Sequence, residues 1–518
     1  MSKSLQLKIG SFLSYIQIGL NIIIGIICTP IMLRLLGQNE YGLYSTVAST
    51  ISMLSILNLG FSAGYIRYYA KYKNNNELLN IYKLNGLFII IFTVIGVVAL
   101  ICGVLMTINL ELFFNTGLTI TEYEKARILM ILFTLRMALS FPFSVFLNII
   151  TAHERFIFIK ICGMASTIFS PLITLAFLLA GYGSIAMVLI TVIIGTITDI
   201  IYAYYAIVKL NQKFIFRDFN KSVLRDLCSY TAFIAINMIV DQINWNIDKV
   251  LLARYQGTAS VAIYSIGYSL YNYYMSFSTS ISSVFTPSIH TIVNQTRYNM
   301  KEQREKLTSL FILVGRVQFL ILGLIASGLI FFGKQFIVNF WAGEGYTDSY
   351  YVMLLLVLPS SIALIQNLGI EIQRALNRHY FRSFVYFAMA IINLVLSIIL
   401  CQKYGAIGSA IGTAVSLIIA NGLVINIYYH KKCNIDILEF WKNIFIMLRG
   451  IIIPVVTGII INVFFEIDTV SKFIFFVSVY MIVYFVNVWL FSMNDMEKLL
   501  VLNPIKKVIN KCYKLRKR

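Results

Sequence analysis

This chain has little charge. Asp, Glu, Lys and Arg make up 12% of its 518 residues, hydrophobic residues make up 59%, and the mean hydropathy is +0.81. A soluble domain carries about twice that share of charge, so an ordinary globular protein is excluded. Acid is scarcer than base, 22 residues against 42. The seven cysteines are scattered, with no Cys-x-x-Cys and no Cys/His ligand spacing, so neither a disulfide framework nor a metal site is expected. The four histidines, His153, His290, His379 and His430, fall near expected cytoplasmic helix ends. A cleavable signal peptide is not expected, because the first apolar run is too long and no small-residue cleavage site follows it. The longest expected outer loops, 109–127 and 333–348, are too small for a catalytic domain. No grouping of nucleophile, acid and base stands out, so neither an enzyme activity nor a cofactor is expected.

What the chain has instead is apolar runs. Stretches of about 20 residues, enough to cross a bilayer, recur along its whole length, and fourteen spans are expected. Within them lies a repeat. Residues 34–45 read RLLGQNEYGLYS and residues 254–265 read RYQGTASVAIYS, so Arg34, Gly37 and Tyr44 match Arg254, Gly257 and Tyr264 at an offset of 220. Weaker echoes keep the same order. Tyr182-Gly183-x-Ile185 with Thr191 matches Tyr404-Gly405-x-Ile407 with Thr413, Ala152-x-x-Arg155 matches Ala375-x-x-Arg378, and Gln17 and Asn21 fall opposite Asn237 and Asp241. The expected architecture is an all-α polytopic membrane protein. Two six-helix lobes, 1–215 and 216–430, precede a segment 431–518 with two more helices and a basic tail. Such duplication points to a transporter with its substrate site at the repeat interface. Lys and Arg set the orientation: 32 of the 42 fall in alternate loops that share a side with the N-terminus. Both termini are therefore expected in the cytoplasm. The net charge of +20 reflects this bias and attraction to anionic lipid. The tail, 505–518, reads as a membrane-surface anchor and not as a nucleic-acid site.

Polar groups inside apolar spans mark cavities or helix contacts. Asn237, Asp241, Asn244 and Asp248 are spaced to share one helical face, which reads as a cavity wall or as a polar zipper between helices. Asp241 is the acid nearest mid-membrane and the candidate for coupling to H+ or Na+. Asp248 and the adjacent Lys249 fall nearer the outer surface, where gating or a structural ion pair fits. Tyr264, Tyr268 and Tyr271 line one face of the next span. Their rings can stack on sugars and their hydroxyls can bond them, or they can simply pack. Arg136 and Arg316 lie well inside the fourth and ninth spans, one in each lobe. A guanidinium grips phosphate oxygens through paired hydrogen bonds. Snorkelling, or pairing with an acid such as Asp199 or Glu371, is the alternative. Six prolines, from Pro30 to Pro454, lie within or at the edge of spans, where they bend helices or shape a cleft.

The pattern LRLLGQNEYGLYS, with ILNLGFSAGYIRYYAKY at 56–72 and NIDKVLLARYQGTASVAIYSIGYSL at 246–270, resembles the polysaccharide-transport flippases for O-antigen and capsule repeat units. These belong to the MATE-like multidrug/oligosaccharidyl-lipid/polysaccharide exporter superfamily. The resemblance covers essentially the whole chain. One departure is Asn58, where many relatives carry an acid. The resemblance implies a flippase in the cell membrane for an undecaprenyl-diphosphate-linked oligosaccharide, moved from the cytoplasmic to the outer leaflet by alternating access. It also implies a polymerase and other polysaccharide-assembly proteins as partners. A flippase for lipid II or a teichoic-acid-type precursor, a multidrug exporter of the same fold, and a membrane glycosyltransferase or polymerase are the alternatives.

Overall fold

The computed structural model describes residues 3–114, 118–217, 221–378, 380–499 and 502; the basic tail 505–518 and His379 lie outside the described residues. In hydrocarbon a backbone must satisfy its own hydrogen bonds, and a helix does so within one segment. Accordingly the described residues form helices and no strands. In chain order these are α1 (Lys3–Ser52), α2 (Phe61–Asn74), α3 (Leu78–Ile108), α4 (Ile120–Ala152), α5 (Phe156–Leu179), α6 (Ser184–Tyr204), α7 (Lys221–Gln256) and α8 (Thr258–Gln295). There follow α9 (Met300–Gln335), α10 (Thr347–Ile365), α11 (Leu368–Ala375), α12 (Tyr380–Leu417), α13 (Ile425–Lys432), α14 (Ile437–Met447), α15 (Ile452–Phe464) and α16 (Val470–Phe491).

Ten helical stretches among the described residues are long and apolar enough to cross a membrane. Two of these, Phe12–Asn74 and Tyr380–Lys432, each contain a pair of the expected spans. The break in each pair is a glycine. Gly37 (φ 76°) interrupts α1 and Gly405 (φ 56°) interrupts α12, in backbone conformations that L side chains avoid. α7 and α8, which carry the polar stripes, coincide with the expected seventh and eighth spans and are not among the ten. Between them stands Gly257 (φ 84°). The glycines shared by the two motif copies thus do the same job, turning the chain between consecutive spans.

Packing divides the chain into two compact units, Met1–Tyr268 with Tyr386–Ser416, and Ser269–Val385 with Leu417–Arg518. This division differs from the expected lobes 1–215 and 216–430, because residues up to Tyr268 and the segment Tyr386–Ser416 pack with the first unit. In the first unit a Cβ at Gly42 would collide with the Thr258 carbonyl oxygen, so α1 and the start of α8 touch backbone to backbone. Asp248 of α7 is bonded to α12 in the same unit. An aromatic core of Tyr65, Phe88, Phe92 and Phe141 joins α2, α3 and α4. The linker after α6 is strapped to one end of this core. Ile215 N–H donates to the Tyr82 carbonyl (3.0 Å), and Asn85 Nδ2 donates to Gln212 Oε1 (3.2 Å) and to the Lys213 carbonyl (3.1 Å). In the second unit the last two long helices, α15 and α16, pack on α9 through Phe332, Ile461 and Tyr480.

Candidate functional site

Asp248 is fully buried, and its carboxylate is enclosed by hydroxyls from two other helices. Tyr264 of α8 donates to Oδ2 (2.8 Å), Thr413 of α12 donates to Oδ2 (2.9 Å), and Ser409 of α12 donates to Oδ1 (2.7 Å). Behind them, Asn393 Oδ1 accepts from Ser397 (3.2 Å) and lies 3.4 Å from the Thr413 hydroxyl oxygen. Asn393, Ser397 and Ser409 are each fully buried, and the Asn393 amide nitrogen has no partner. The sharp turn at Gly405 lays the two arms of α12 side by side, and Gly412 leaves room for Ser397, whose oxygen would stand 2.7 Å from a Cβ there. A carboxylate this deep in apolar surroundings is costly and persists only when its lone pairs are satisfied. Here three hydroxyl donors satisfy it without a counter-charge.

The expected ion pair between Asp248 and Lys249 is not what forms. Successive residues on a helix point about 100° apart, and the Lys249 ammonium lies 4.9 Å from the centre of the Tyr268 ring instead. Tyr268 in turn stacks on Tyr264, with ring centroids 6.1 Å apart. The tyrosines expected to face sugars are thus interior. Tyr264 and Tyr271 are buried and Tyr268 is half-buried. The polar stripe on α7 divides along its length: Asn237 and Asp241 are exposed, Asn244 is half-buried, and Asp248 is sealed.

The two intramembrane arginines are paired with acids. In the first unit Arg136 donates to Asp199 on α6 (2.7 Å), and the missing side chain of Gly195 makes room for its guanidinium. The side chains of that pair keep 22% and 16% of their surface exposed. In the second unit Arg316 is 4% exposed and commits four hydrogen bonds. Two go to Glu497, one to the Ser492 carbonyl (2.8 Å) and one to the Asn443 carbonyl (3.3 Å). That accounts for four of its five N–H donors. The reading of Arg316 as an open phosphate-binding group does not describe this conformation.

Of the motif residues, Arg34 is exposed and Arg254 half-buried, while Tyr44 packs on Tyr41 and Phe133. Glu40, inside the first copy, accepts from the Ser184 backbone N–H and from Lys125 Nζ, both at 2.6 Å. Ser409, Asn393, Ser397 and Glu497 escaped the sequence reading. The signal for the first three was spacing. Asn393/Ser397 and Ser409/Thr413 are each four apart on apolar helices, and the turn at Gly405 brings the pairs together.

Comparison with known proteins bears on this arrangement. The family model described as "Polysaccharide biosynthesis protein" matches residues 8–293. The chain is 19% identical over 407 residues to a putative O-antigen transporter of Shigella flexneri, covering 78% of this chain and 92% of that protein. Among solved structures it is similar to the lipid II flippase MurJ in an inward closed conformation, with TM-score 0.68, 16% identity, and 93% and 98% of the two chains covered. It is also similar to an inward-facing multidrug resistance MATE family transporter of the MOP superfamily, with TM-score 0.64, 12% identity, and 85% and 99% covered. Both likenesses establish the fold: the chain is MATE-like.

Proposed function

This chain belongs to the polysaccharide biosynthesis protein family, and from that premise we propose that it is a flippase for a lipid-linked oligosaccharide repeat unit used in surface polysaccharide assembly. The unit, an undecaprenyl-diphosphate-linked oligosaccharide, is taken up in the cytoplasmic leaflet and presented at the outer one. The similarity to a putative O-antigen transporter over 92% of its length supports this substrate class. Transport proceeds by alternating access and is coupled to a cation, H+ or Na+, at Asp248.

The observation that carries the coupling is the enclosure of Asp248. A carboxylate sealed among three hydroxyls can take up a proton, or bind a small cation when the hydroxyls rotate their hydrogens away and turn their lone pairs toward it. Either event removes a buried negative charge, and so changes the energy of holding α7, α8 and α12 together. This moves the coupling role from Asp241, which is exposed, to Asp248, which is sealed. Arg136, still partly exposed beside Asp199, is the arginine kept as a headgroup contact.

The test is export of the lipid-linked repeat unit by cells carrying Asp248→Asn in the full chain, at matched protein level. Asparagine keeps the shape and removes the charge. Export should fall by at least tenfold and lose its dependence on the ion gradient. Wild-type export by that variant, still driven by the gradient, would sink the assignment. The fold likeness to a lipid II flippase favours lipid II as the second reading. Vesicles loaded with either lipid separate the two substrates directly.

A further inference from the structure

We propose that a cleft between α9 and α14 binds the headgroup of a membrane phospholipid that carries both a phosphate and a primary ammonium, as phosphatidylethanolamine does. The site lies wholly in the second unit and does not depend on which cargo the protein moves. The two helices run side by side in the same direction. The Asp436 N–H donates to the Thr308 hydroxyl (2.9 Å), and further along Arg316 donates to the Asn443 carbonyl (3.3 Å). Between them is a cleft of about 560 Å³, lined among others by Lys301, Arg304, Glu305, Ser309, Glu439 and Asn443. That volume is in the range of ordinary ligand pockets.

The charges in the cleft are of both signs and largely unspent. Glu302 and Lys306, four apart on α9, pair at 2.7 Å. Lys301 and Glu305 have the same separation and line the cleft, yet among the described residues neither they nor Glu439 form an ion pair. Arg304 spends a single N–H on Asp436 (3.0 Å), which leaves most of its donors for a ligand. A simple anion would meet Glu305 and Glu439, and a simple organic cation would meet Lys301 and Arg304. A metal ion is no better served, because no three His, Cys, Asp or Glu side chains among the described residues are grouped to hold one. A zwitterion suits both signs. Its phosphate accepts from Lys301 and Arg304, and its ammonium donates to Glu305 and Glu439.

The depth of the cleft identifies the source of that zwitterion. α14 opens the apolar stretch Ile437–Phe464, and Leu438, Phe445 and Ile446 are exposed on it. In a bilayer that surface lies against lipid. Trp441 sits within about 3 Å of both Glu439 and Asn443 along the helix axis. Its Nε1–H donates to Asn426 Oδ1 (3.3 Å). Tryptophan collects at the headgroup level of a membrane. The cleft therefore opens where phospholipid headgroups lie.

The experiment uses the purified full chain, stripped of lipid in mild detergent. It is mixed with equal amounts of phosphatidylethanolamine, phosphatidylcholine and phosphatidylglycerol, and retained lipid is counted by native mass spectrometry. Phosphatidylcholine keeps both charges but has no N–H to donate, and phosphatidylglycerol has the phosphate and no amine. Wild type should retain phosphatidylethanolamine about fivefold over either, a fraction of what one hydrogen bond to a charged group is worth. Glu305→Gln combined with Glu439→Gln should erase that preference. Equal retention of the three lipids by wild type, or an unchanged preference in the double variant, overturns the proposal. Should the double variant fail to accumulate, Lys301→Gln at the exposed mouth decides: loss of phosphatidylethanolamine supports the proposal, and full retention overturns it. Soluble glycerophosphoethanolamine at the same concentration should leave the lipid count unchanged. Full displacement by it would assign the cleft to a water-soluble aminophosphate and overturn the lipid source.

Discussion

Asp248 and Arg316 are both ionisable groups sealed from water, and they are held in opposite ways. Asp248 has neutral donors only, so its charge can be changed without stranding a counter-charge. Arg316 has a carboxylate and two carbonyl oxygens, so its charge is fixed by what surrounds it. Removing one partner of a buried ion pair leaves the other uncompensated and costs about 3–5 kcal/mol. Arg316→Ala should therefore lower the amount of folded protein in the membrane, read by fluorescence-detected size exclusion after mild detergent extraction. The reversed pair, Arg316→Glu with Glu497→Arg, should not restore it, because a carboxylate at 316 would face the carbonyls of Ser492 and Asn443. Full recovery by the reversed pair would show that the Coulombic term alone matters. His153 offers a pH test. Its Nδ1 faces the Ile149 carbonyl (2.9 Å) and its Nε2 the Tyr69 hydroxyl (2.9 Å), an arrangement that in the neutral ring assigns the proton to Nδ1. Burial, helped by Lys73 and Arg155, pushes the imidazole below the usual 6.5. The unfolded chain then takes the proton more readily, so stability is full above pH 6.5 and falls as pH drops through and below it. Between pH 7.5 and 5.5 the melting temperature of purified wild type should drop more than that of His153→Gln. Equal drops would remove His153 from the account.

Elements in this protein are delimited by glycine more than by loops. Gly37, Gly257 and Gly405 all have positive φ, and each separates two consecutive spans with no intervening loop. A side chain in the left-handed region costs about 1–2 kcal/mol. Gly257→Ala should lower the melting temperature, whereas Ala at Gly328 inside α9 should leave it within a degree or two. The first motif pair was legible in the sequence because Gly37 and Gly257 both stand at positive φ, a backbone conformation that favours glycine. The Asp248 enclosure was not. Its parts come from 248, 264, 409 and 413, and periodicity along one helix cannot say which face of another it will meet. The α7 stripe shows the limit. Its spacing groups four polar residues on one helical face, yet that face runs from exposed at Asn237 to sealed at Asp248, and only packing decides where the change occurs. Arg316 illustrates the other limit, since its partner Glu497 lies 181 residues away beyond the last long helix.

For the whole molecule, hydropathy is enough to read the class, because in a bilayer composition and backbone bonding leave helices as the economical answer for apolar runs of this length. Orientation is a separate property, carried by Lys and Arg in the connections, and the packing of the first unit makes it testable in a linked way. Lys73 lies 5.7 Å over the Tyr69 ring, Tyr69 bonds His153, and His153 stands 3.4 Å from Gln212, whose neighbour Lys213 gives its carbonyl to Asn85. Those contacts tie the end of α2, the end of α4 and the linker after α6 to one end of the helices. Reporter fusions truncated at Lys73 and at Lys213 must therefore report the same side, and the basic-loop bias makes that side the cytoplasm. Agreement on the cytoplasm supports both the packing and the orientation. Agreement on the exterior would keep the packing and reverse the orientation. A split between the two sites would mean that an odd number of crossings separates them, which the strap from Asn85 to Lys213 does not allow.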